Sequence, residues 1–435
     1  MATRDLRSTA LRSVATVGLA VGLFWLGATE ATVQVSEPRV GPIRPPVEQP
    51  SVKAVEKSSR RLAFDDLLYQ GAFRLPAEST GESFSYGGQT LAYNPVSDTI
   101  FVGSLRGQVA EMSIPSPANT TLVEELPVAS FVRPFRDPAD GHVRDIADNG
   151  VVLSGLLVHD ARLYGTGLIY YDANNSQRIS HFGRSLDLTR PEVTRLYQVG
   201  ETGKSGFVAG YMATVPPDFR AALGGPAVTG QCCISIISRT SFGPALFAWN
   251  PADLGRRDPV PATPLLYYPQ QHTTLGPWEG SNEVFGATTE VAGVAVVDRT
   301  TTVLFAGRNG LGKYCYGDGT ADAQQAKAKG PNGETFCYDP SNSSKGQHAF
   351  PYRLQFWAYD VNDLAAVRAG DRDPWEVRPY AVWPFELPPI GDPYPRLGAI
   401  SFDSARRRLF LTQLSGEKDG HGRLPIIHVF TVRER

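Results

Sequence analysis

Cysteine is scarce in this chain: four residues in 435, at positions 232, 233, 315 and 337. None is spaced as CxxC and no HxxxH pair occurs, which excludes a structural zinc site of the usual spacing. A basic run is missing too. The 42 Lys+Arg are balanced by 44 Asp+Glu for a net charge of −2, so the electrostatic footprint of a nucleic-acid binder is absent. No Walker motif, Gly-x-Ser-x-Gly elbow or dinucleotide fingerprint stands in a fitting context. With 42% hydrophobic and 20% charged residues, the composition excludes a disordered chain. What is abundant is glycine (43) and proline (34), a balance that favours many turns and few long helices.

Only one long apolar run occurs, near the N-terminus. Arg4, Arg7 and Arg12 precede a charge-free stretch over residues 13–28 that includes Leu19, Val21, Leu23, Phe24, Trp25 and Leu26. A positive start, an apolar centre and the small residues around Thr29-Glu30-Ala31 predict a signal peptide over 1–31. A spanning helix needs about 20 apolar residues, so cleavage is the expected fate and a secreted or periplasmic location follows. Residues 32–61 carry Pro38, Pro42, Pro45, Pro46 and Pro50 and read as an extended, polyproline-like tether. No membrane association is expected unless the apolar segment is retained. The domain proper then runs over 62–435.

Export makes the cysteines interpretable. Cys315 and Cys337 lie in one turn-rich insertion and are expected to be disulfide-bonded. The adjacent Cys232 and Cys233 leave two readings open: a vicinal disulfide, or two buried thiols entering a strand that reads Cys-Cys-Ile-Ser-Ile-Ile.

One phrase recurs five times after the tether: a small residue, an apolar strand, a polar turn and a second apolar strand. It reads Gln89-Thr-Leu-Ala-Tyr-Asn then Asp98-Thr-Ile-Phe-Val-Gly, and Gly155-Leu-Leu-Val-His-Asp then Arg162-Leu-Tyr-Gly-Thr-Gly. It returns as Gly293-Val-Ala-Val-Val-Asp then Thr302-Val-Leu-Phe-Ala-Gly, and as Gly398-Ala-Ile-Ser-Phe-Asp then Arg408-Leu-Phe-Leu-Thr-Gln. The third copy is stretched: Gly210-Tyr-Met-Ala-Thr-Val is separated by an insertion from its second strand, expected from Cys233 onward. Third strands are expected at 109–114, 178–186, 245–249, 354–359 and 426–432, and fourth strands at 128–132, 194–199, 264–268 and 377–383. The fifth copy lacks a fourth strand, and the segment 67–75 reads like one. This predicts an all-β, five-bladed β-propeller closed by an N-terminal strand. Short helices ending at glycine are expected over 218–223 and 362–369.

Long loops on a rigid scaffold are commonly functional. In this strand order, loops 76–88, 135–150, 201–205, 269–289 and 385–395 and the insert 309–348 gather at one mouth of the axis, with the stapled insert as an ordered lid. Candidate acid–base groups there are Glu290, Asp145 and Glu279, with Glu290 heading an inner strand. Arg396 heads another, either as a ligand contact or as the partner of Glu290. His142 and His272 are candidate ligand contacts, and Trp278 a candidate platform for a sugar ring. Asp318 and Asp322 in Asp-Gly-Thr-Ala-Asp have the close oxygen spacing of a calcium loop, making calcium the candidate ion, without the full twelve-residue pattern.

The repeat and the borrowed closing strand resemble exported β-propeller proteins over residues 62–435. Five-bladed members of that architecture include glycoside hydrolases of the arabinanase type and sugar-binding lectins. The resemblance implies an Asp base on the first inner strand in the hydrolases, whereas here that strand reads Gly88-Gln-Thr-Leu-Ala-Tyr with no carboxylate. The leading expectation is therefore binding of a polar, glycan-like ligand or a protein partner at the loop-rich mouth. The alternative is an extracellular hydrolase using the mouth carboxylates. A third reading, a redox propeller holding a quinone over Cys232-Cys233, is disfavoured because the expected strand order puts those cysteines at the far face.

Overall fold

The computed structural model describes residues 60–434 except 80, 202, 234–238, 270–273, 280, 281, 327, 331, 332, 420 and 421. The expected signal peptide and nearly all of the expected tether lie outside these residues. The tether's last two residues are already docked: Arg61 Nε donates to Asp360 at 2.5 Å, and Arg60 pairs with Asp66.

The fold is mostly β, built of small antiparallel sheets. One holds Leu91–Asn94, Thr99–Gly103, Val109–Ser113 and Phe131–Arg136. The next holds Val151–His159, Arg162–Ile169 and His181–Ser185. A third is formed by Met212–Thr214, Ala227–Thr229, Leu246–Trp249 and Ala262–Leu266, and a fourth by Glu290–Val297, Thr302–Gly310, Tyr352–Asp360 and Ala381–Pro384. In the fifth, Arg396–Asp403, Arg408–Asp419 and Gly422–Val432 are completed by Leu67–Arg74, which pairs antiparallel with the last of them, Tyr69 opposite Phe430 and Gly71 opposite Val429. The first strands of the five sheets lie beside one another in cyclic order, the fifth returning to the first.

The fourth strands expected at 128–132 and 377–383 lie later, at Phe131–Arg136 and Ala381–Pro384, and two other expected strands differ more. In the second sheet the segment expected at 194–199 contributes a single bridge, Tyr197 to His181. The buried Arg184 fills that flank, held by Asp140 and the carbonyls of Asp187 and Arg190. In the third sheet the second strand is Ala227–Thr229, ahead of the cysteines, because the insertion after Thr214 is a helix, Pro217–Leu223, that ends at Gly224. The other expected helix is present as Val361–Ala369, with the Asp360 carboxylate accepting the Asn362 N–H and Gly370 ending it.

Alternation along each strand explains how the sheets stack. Successive side chains point to opposite faces, so Ile100 and Val102 join Phe73, Phe410 and Val429 between the first and fifth sheets. The intervening Phe101 packs with Leu156, Leu163 and Phe182 between the first and second. Leu157, Met212 and Trp249 fill the gap between the second and third, Phe305 and Trp357 that between the third and fourth, and Leu304, Phe356 and Leu411 that between the fourth and fifth.

The glycines that open the second and fifth repeats have a steric role. A Cβ on Gly155 would stand 2.0 Å from the carbonyl oxygen of Gly210 in the next sheet, and one on Gly398 would stand 2.3 Å from that of Gly88. The same carbonyls accept hydrogen bonds from second-strand hydroxyls, Thr166 to Gly210 and Thr412 to Gly88, both at 2.8 Å. The second and third sheets, and the fifth and first, therefore meet backbone to backbone. Gly155→Ala is expected to cost about 1–3 kcal/mol in urea denaturation by overpacking. Gly346→Ala, where an added Cβ meets nothing within 4 Å, should change stability by no more than about 0.5 kcal/mol. Equal effects of the two would count against backbone contact as the role of the repeat glycine.

Candidate functional site

A cavity of about 380 Å³ takes its lining from all five sheets. The first gives Gln89, Ser104 and Leu105, the second Val152 and Tyr170, the third Gln231, Cys232 and Cys233, the fourth Glu290, and the fifth Arg396 and Leu414. Below it the inner strands narrow to voids of about 10 and 30 Å³, and a second cavity of about 410 Å³ lies near His159, Arg220, Asp298 and Ser404. At the narrowing, Thr90 carries a buried hydroxyl with no hydrogen-bond partner among the described residues.

Glu290 opens the first strand of the fourth sheet and faces Arg308 across the hairpin in register. Its two carboxylate oxygens accept four charge-assisted hydrogen bonds. Arg308 donates through Nε at 3.0 Å and Nη2 at 2.9 Å; Arg396, from the fifth sheet, donates through Nε at 3.1 Å and Nη2 at 3.0 Å. Two side-on forks of this kind fill every strong acceptor position on the carboxylate. Burial opposes ionisation here, but the two guanidiniums outweigh it and hold the Glu290 carboxyl down to about 2. Arg308 is sealed at 4% exposure and stacks on Tyr352, 4.2 Å from the ring centre, whereas Arg396 is 50% exposed toward the cavity.

Cys232 and Cys233 form a vicinal disulfide, and Cys233 holds a left-handed backbone with φ of +66°. The expectation that these residues lie at the far face is corrected: they line the same cavity as Glu290 and Arg396. With the second strand already complete at Thr229, the chain has returned to the mouth before it reaches them. The Ile-Ser-Ile-Ile stretch once expected to be that strand lies outside the described residues.

The other expected site residues are spread out. His142 Nδ1 lies 2.7 Å from Asp145 Oδ2 within one 3₁₀ turn. That turn borders a neighbouring cavity of about 350 Å³, lined by Arg106, Arg144 and Asp148, which shares Leu105 and Val152 with the mouth. Trp278 packs between Phe242 at 5.9 Å and Tyr314 at 5.7 Å, a half-buried anchor, and Glu279 is exposed beside it. The central cavity's lining includes neither Asp145 nor Glu279, and His272 lies outside the described residues. Cys315 and Cys337 are disulfide-bonded within a small sheet of Cys315–Thr320, Phe336–Tyr338 and Lys345–His348. Asp318 sits within its central strand and the Asp322 carboxylate accepts the Gln324 N–H in the next turn. Among the described residues no three His, Cys, Asp or Glu side chains gather as metal ligands. The insert meets the site at its base, where Tyr352 stacks on Arg308 and donates to Asp339 at 2.7 Å, the carboxylate that also holds His348 at 2.8 Å. Its residues do not line the cavity.

Sequence reasoning missed Arg308, Gln89, Tyr170 and Gln231. Counting outward from the hairpin at residues 298–301 puts Asn309 opposite Glu290; a register shift between Val291 and Gly293 brings Arg308 there instead, so no local signal pointed to it.

No protein-family model matches this chain, and no curated protein matches it. Similar solved structures include a luciferin-regenerating enzyme, at 7% identity over 85% of this chain and 94% of the other, with a TM-score of 0.33. A "putative oxidoreductase (glucose dehydrogenase)" of Thermus thermophilus is 12% identical over 84% and 99% of the two chains, TM-score 0.33. A "putative glycoside hydrolase" of Bacteroides ovatus is 11% identical over 91% and 99%, TM-score 0.40. Likenesses this distant carry no argument about activity.

The unfolded chain would ionise Glu290 at its ordinary value of 4.5. Its pairing therefore stabilises the fold fully above pH 4.5 and is lost as the pH falls toward 2. Glu290→Gln is expected to cost about 1–3 kcal/mol at neutral pH, the range between exposed and buried pairs. Urea denaturation of both proteins should show the gap closing by about pH 2; a pH-independent gap would mean that packing, not charge, sets the cost.

Proposed function

We propose that the chain is an exported five-bladed β-propeller that binds a polar small molecule, glycan-like in chemistry, in the axial cavity. The observation that carries this reading is that a single cavity draws its walls from each of the five sheets whose first strands lie side by side. Such convergence on an axis is where small-molecule sites in radial β architectures form. Gln89, Gln231, Ser104 and Tyr170 offer neutral hydrogen-bonding groups around it, and Leu105, Val152 and Leu414 offer apolar wall. This mixture suits a hydroxylated ring with one apolar face. The two disulfides fit an oxidising compartment, and among the described residues no helix is long and apolar enough to cross a membrane.

The hydrolase alternative is not favoured. Glycoside hydrolysis uses two carboxylates flanking the scissile bond. The cavity contributes one, Glu290, and both its oxygens are occupied by arginine. A redox reading gains from one specific observation, the disulfide in the cavity wall. A planar quinone lying on it would give an absorption change on titration that is lost in the Cys232→Ser/Cys233→Ser double variant; the same change in both proteins would remove the disulfide from the account.

Calorimetric titration of a sugar panel tests the main reading. Tyr170, 55% exposed, and the exposed Gln89 can both be truncated without disturbing the core. Tyr170→Ala and Gln89→Ala should each weaken binding by about tenfold while leaving the melting temperature unchanged. Binding that survives both substitutions would place the ligand elsewhere.

A further inference from the structure

We infer that the ligand of the axial cavity carries a single negative charge, a carboxylate on a ring, and that Arg396 is the residue that selects for it. This rests on the reading of that cavity as the binding site and specifies what the site prefers.

The inference comes from counting charge around Glu290. One carboxylate stands between two guanidiniums, so the cluster carries a net charge of +1. The carboxylate has no acceptor position left for a ligand, since four donors occupy it. Arg308 is buried and uses its outer face against Tyr352. The surplus positive charge is therefore presented by Arg396, which is half exposed and spends only Nε and Nη2 on Glu290. Its Nη1 bonds no described residue, and among the described residues lining the cavity only Glu290 and Arg396 are charged.

An arginine held by one carboxylate with its outer edge open is a preorganised anion contact. Its orientation is fixed before the ligand arrives, which lowers the ordering cost of binding. The apolar wall on the far side, including the Cys232–Cys233 disulfide, Val152 and Leu153, suits the flat face of a ring rather than a second charge. A dianion would leave one charge beside apolar wall and neutral amides, without a cationic partner. A neutral ring would leave the surplus guanidinium charge unmatched. A sugar acid and an aromatic acid share the required chemistry, and they differ in their need for the neutral hydrogen-bonding groups.

The test is calorimetric titration of the full protein with D-glucuronate, D-glucose, benzoate and benzyl alcohol. In each matched pair the acid is expected to bind about tenfold more tightly than the neutral compound, with the preference shrinking as salt is raised. Glucuronate binding more tightly than benzoate would assign the natural ligand to the sugar acids, and the reverse order to aromatic acids. Arg396→Gln should abolish the acid preference, whereas Arg396→Lys should keep part of it. Glu290→Gln acts in the opposite direction: its amide oxygen still accepts from Arg396 while the cluster's charge rises from +1 to +2, which should tighten glucuronate binding even as it destabilises the fold. That opposite sign separates charge selection from a variant that merely folds poorly.

Equal affinity for acid and neutral compounds, with binding intact, would overturn the charge inference and leave the cavity as a neutral-ligand site. Absence of binding by all four compounds would overturn both the inference and the reading it rests on. An unchanged or weakened affinity for glucuronate in Glu290→Gln would likewise overturn it.

Discussion

The pairing of Leu67–Arg74 with Gly422–Val432 is the constraint on which the rest of the described structure depends. It joins the first described strand to the last long one, so the fifth sheet is shared between the two ends of the domain. Without it the edge of Gly422–Val432 would present unpaired backbone groups, the usual template for unwanted strand addition. Phe73, fully buried, would also leave the cluster it forms with Ile100, Phe410 and Val429. At the opposite edge of the same sheet its first strand, Arg396–Asp403, stands between those of the fourth and first sheets, and Arg396 heads that strand.

Ties at both ends of the inner strands reinforce the arrangement. At the mouth, Glu290 joins the fourth and fifth sheets through Arg396. At the hairpin end, Asp298 of the fourth sheet holds Arg407 of the fifth at 2.7 Å, and Asp98 of the first sheet accepts from Arg406 of the fifth at 3.1 Å. Exposed ion pairs contribute little each. The Glu290 cluster differs because it is bidentate on both sides and only partly open to water, so it both joins sheets and sets the electrostatic character of the cavity.

The third sheet shows how an insertion redirects chemistry. The helix Pro217–Leu223 fills the space where a turn of two or four residues stands in the other repeats, and Ala227–Thr229 returns the chain toward the cavity three residues before Cys232. A disulfide between adjacent residues is thereby brought into the wall of the cavity. The Cys315–Cys337 bond does something different: it holds a small sheet that, among the described residues, meets the site through Tyr352.

The sequence by itself determined the β character, the fivefold phrase, the strand borrowed from the N-terminal side and the Cys315–Cys337 pairing. These are legible because they are local: period-two alternation, turn residues and glycines recur at the same place in each copy. It also brought Glu290 and Arg396 forward as heads of inner strands, while leaving open whether they met as partners. Only the tertiary structure decided that they do, that Arg308 completes the cluster, that Trp278 is packed between rings, and that Cys232–Cys233 shares the cavity. Those facts depend on side chains from different sheets converging, and on one register after an insertion of irregular length. Neither quantity is encoded in a window of neighbouring residues, because a one-residue slip reverses which face each side chain takes.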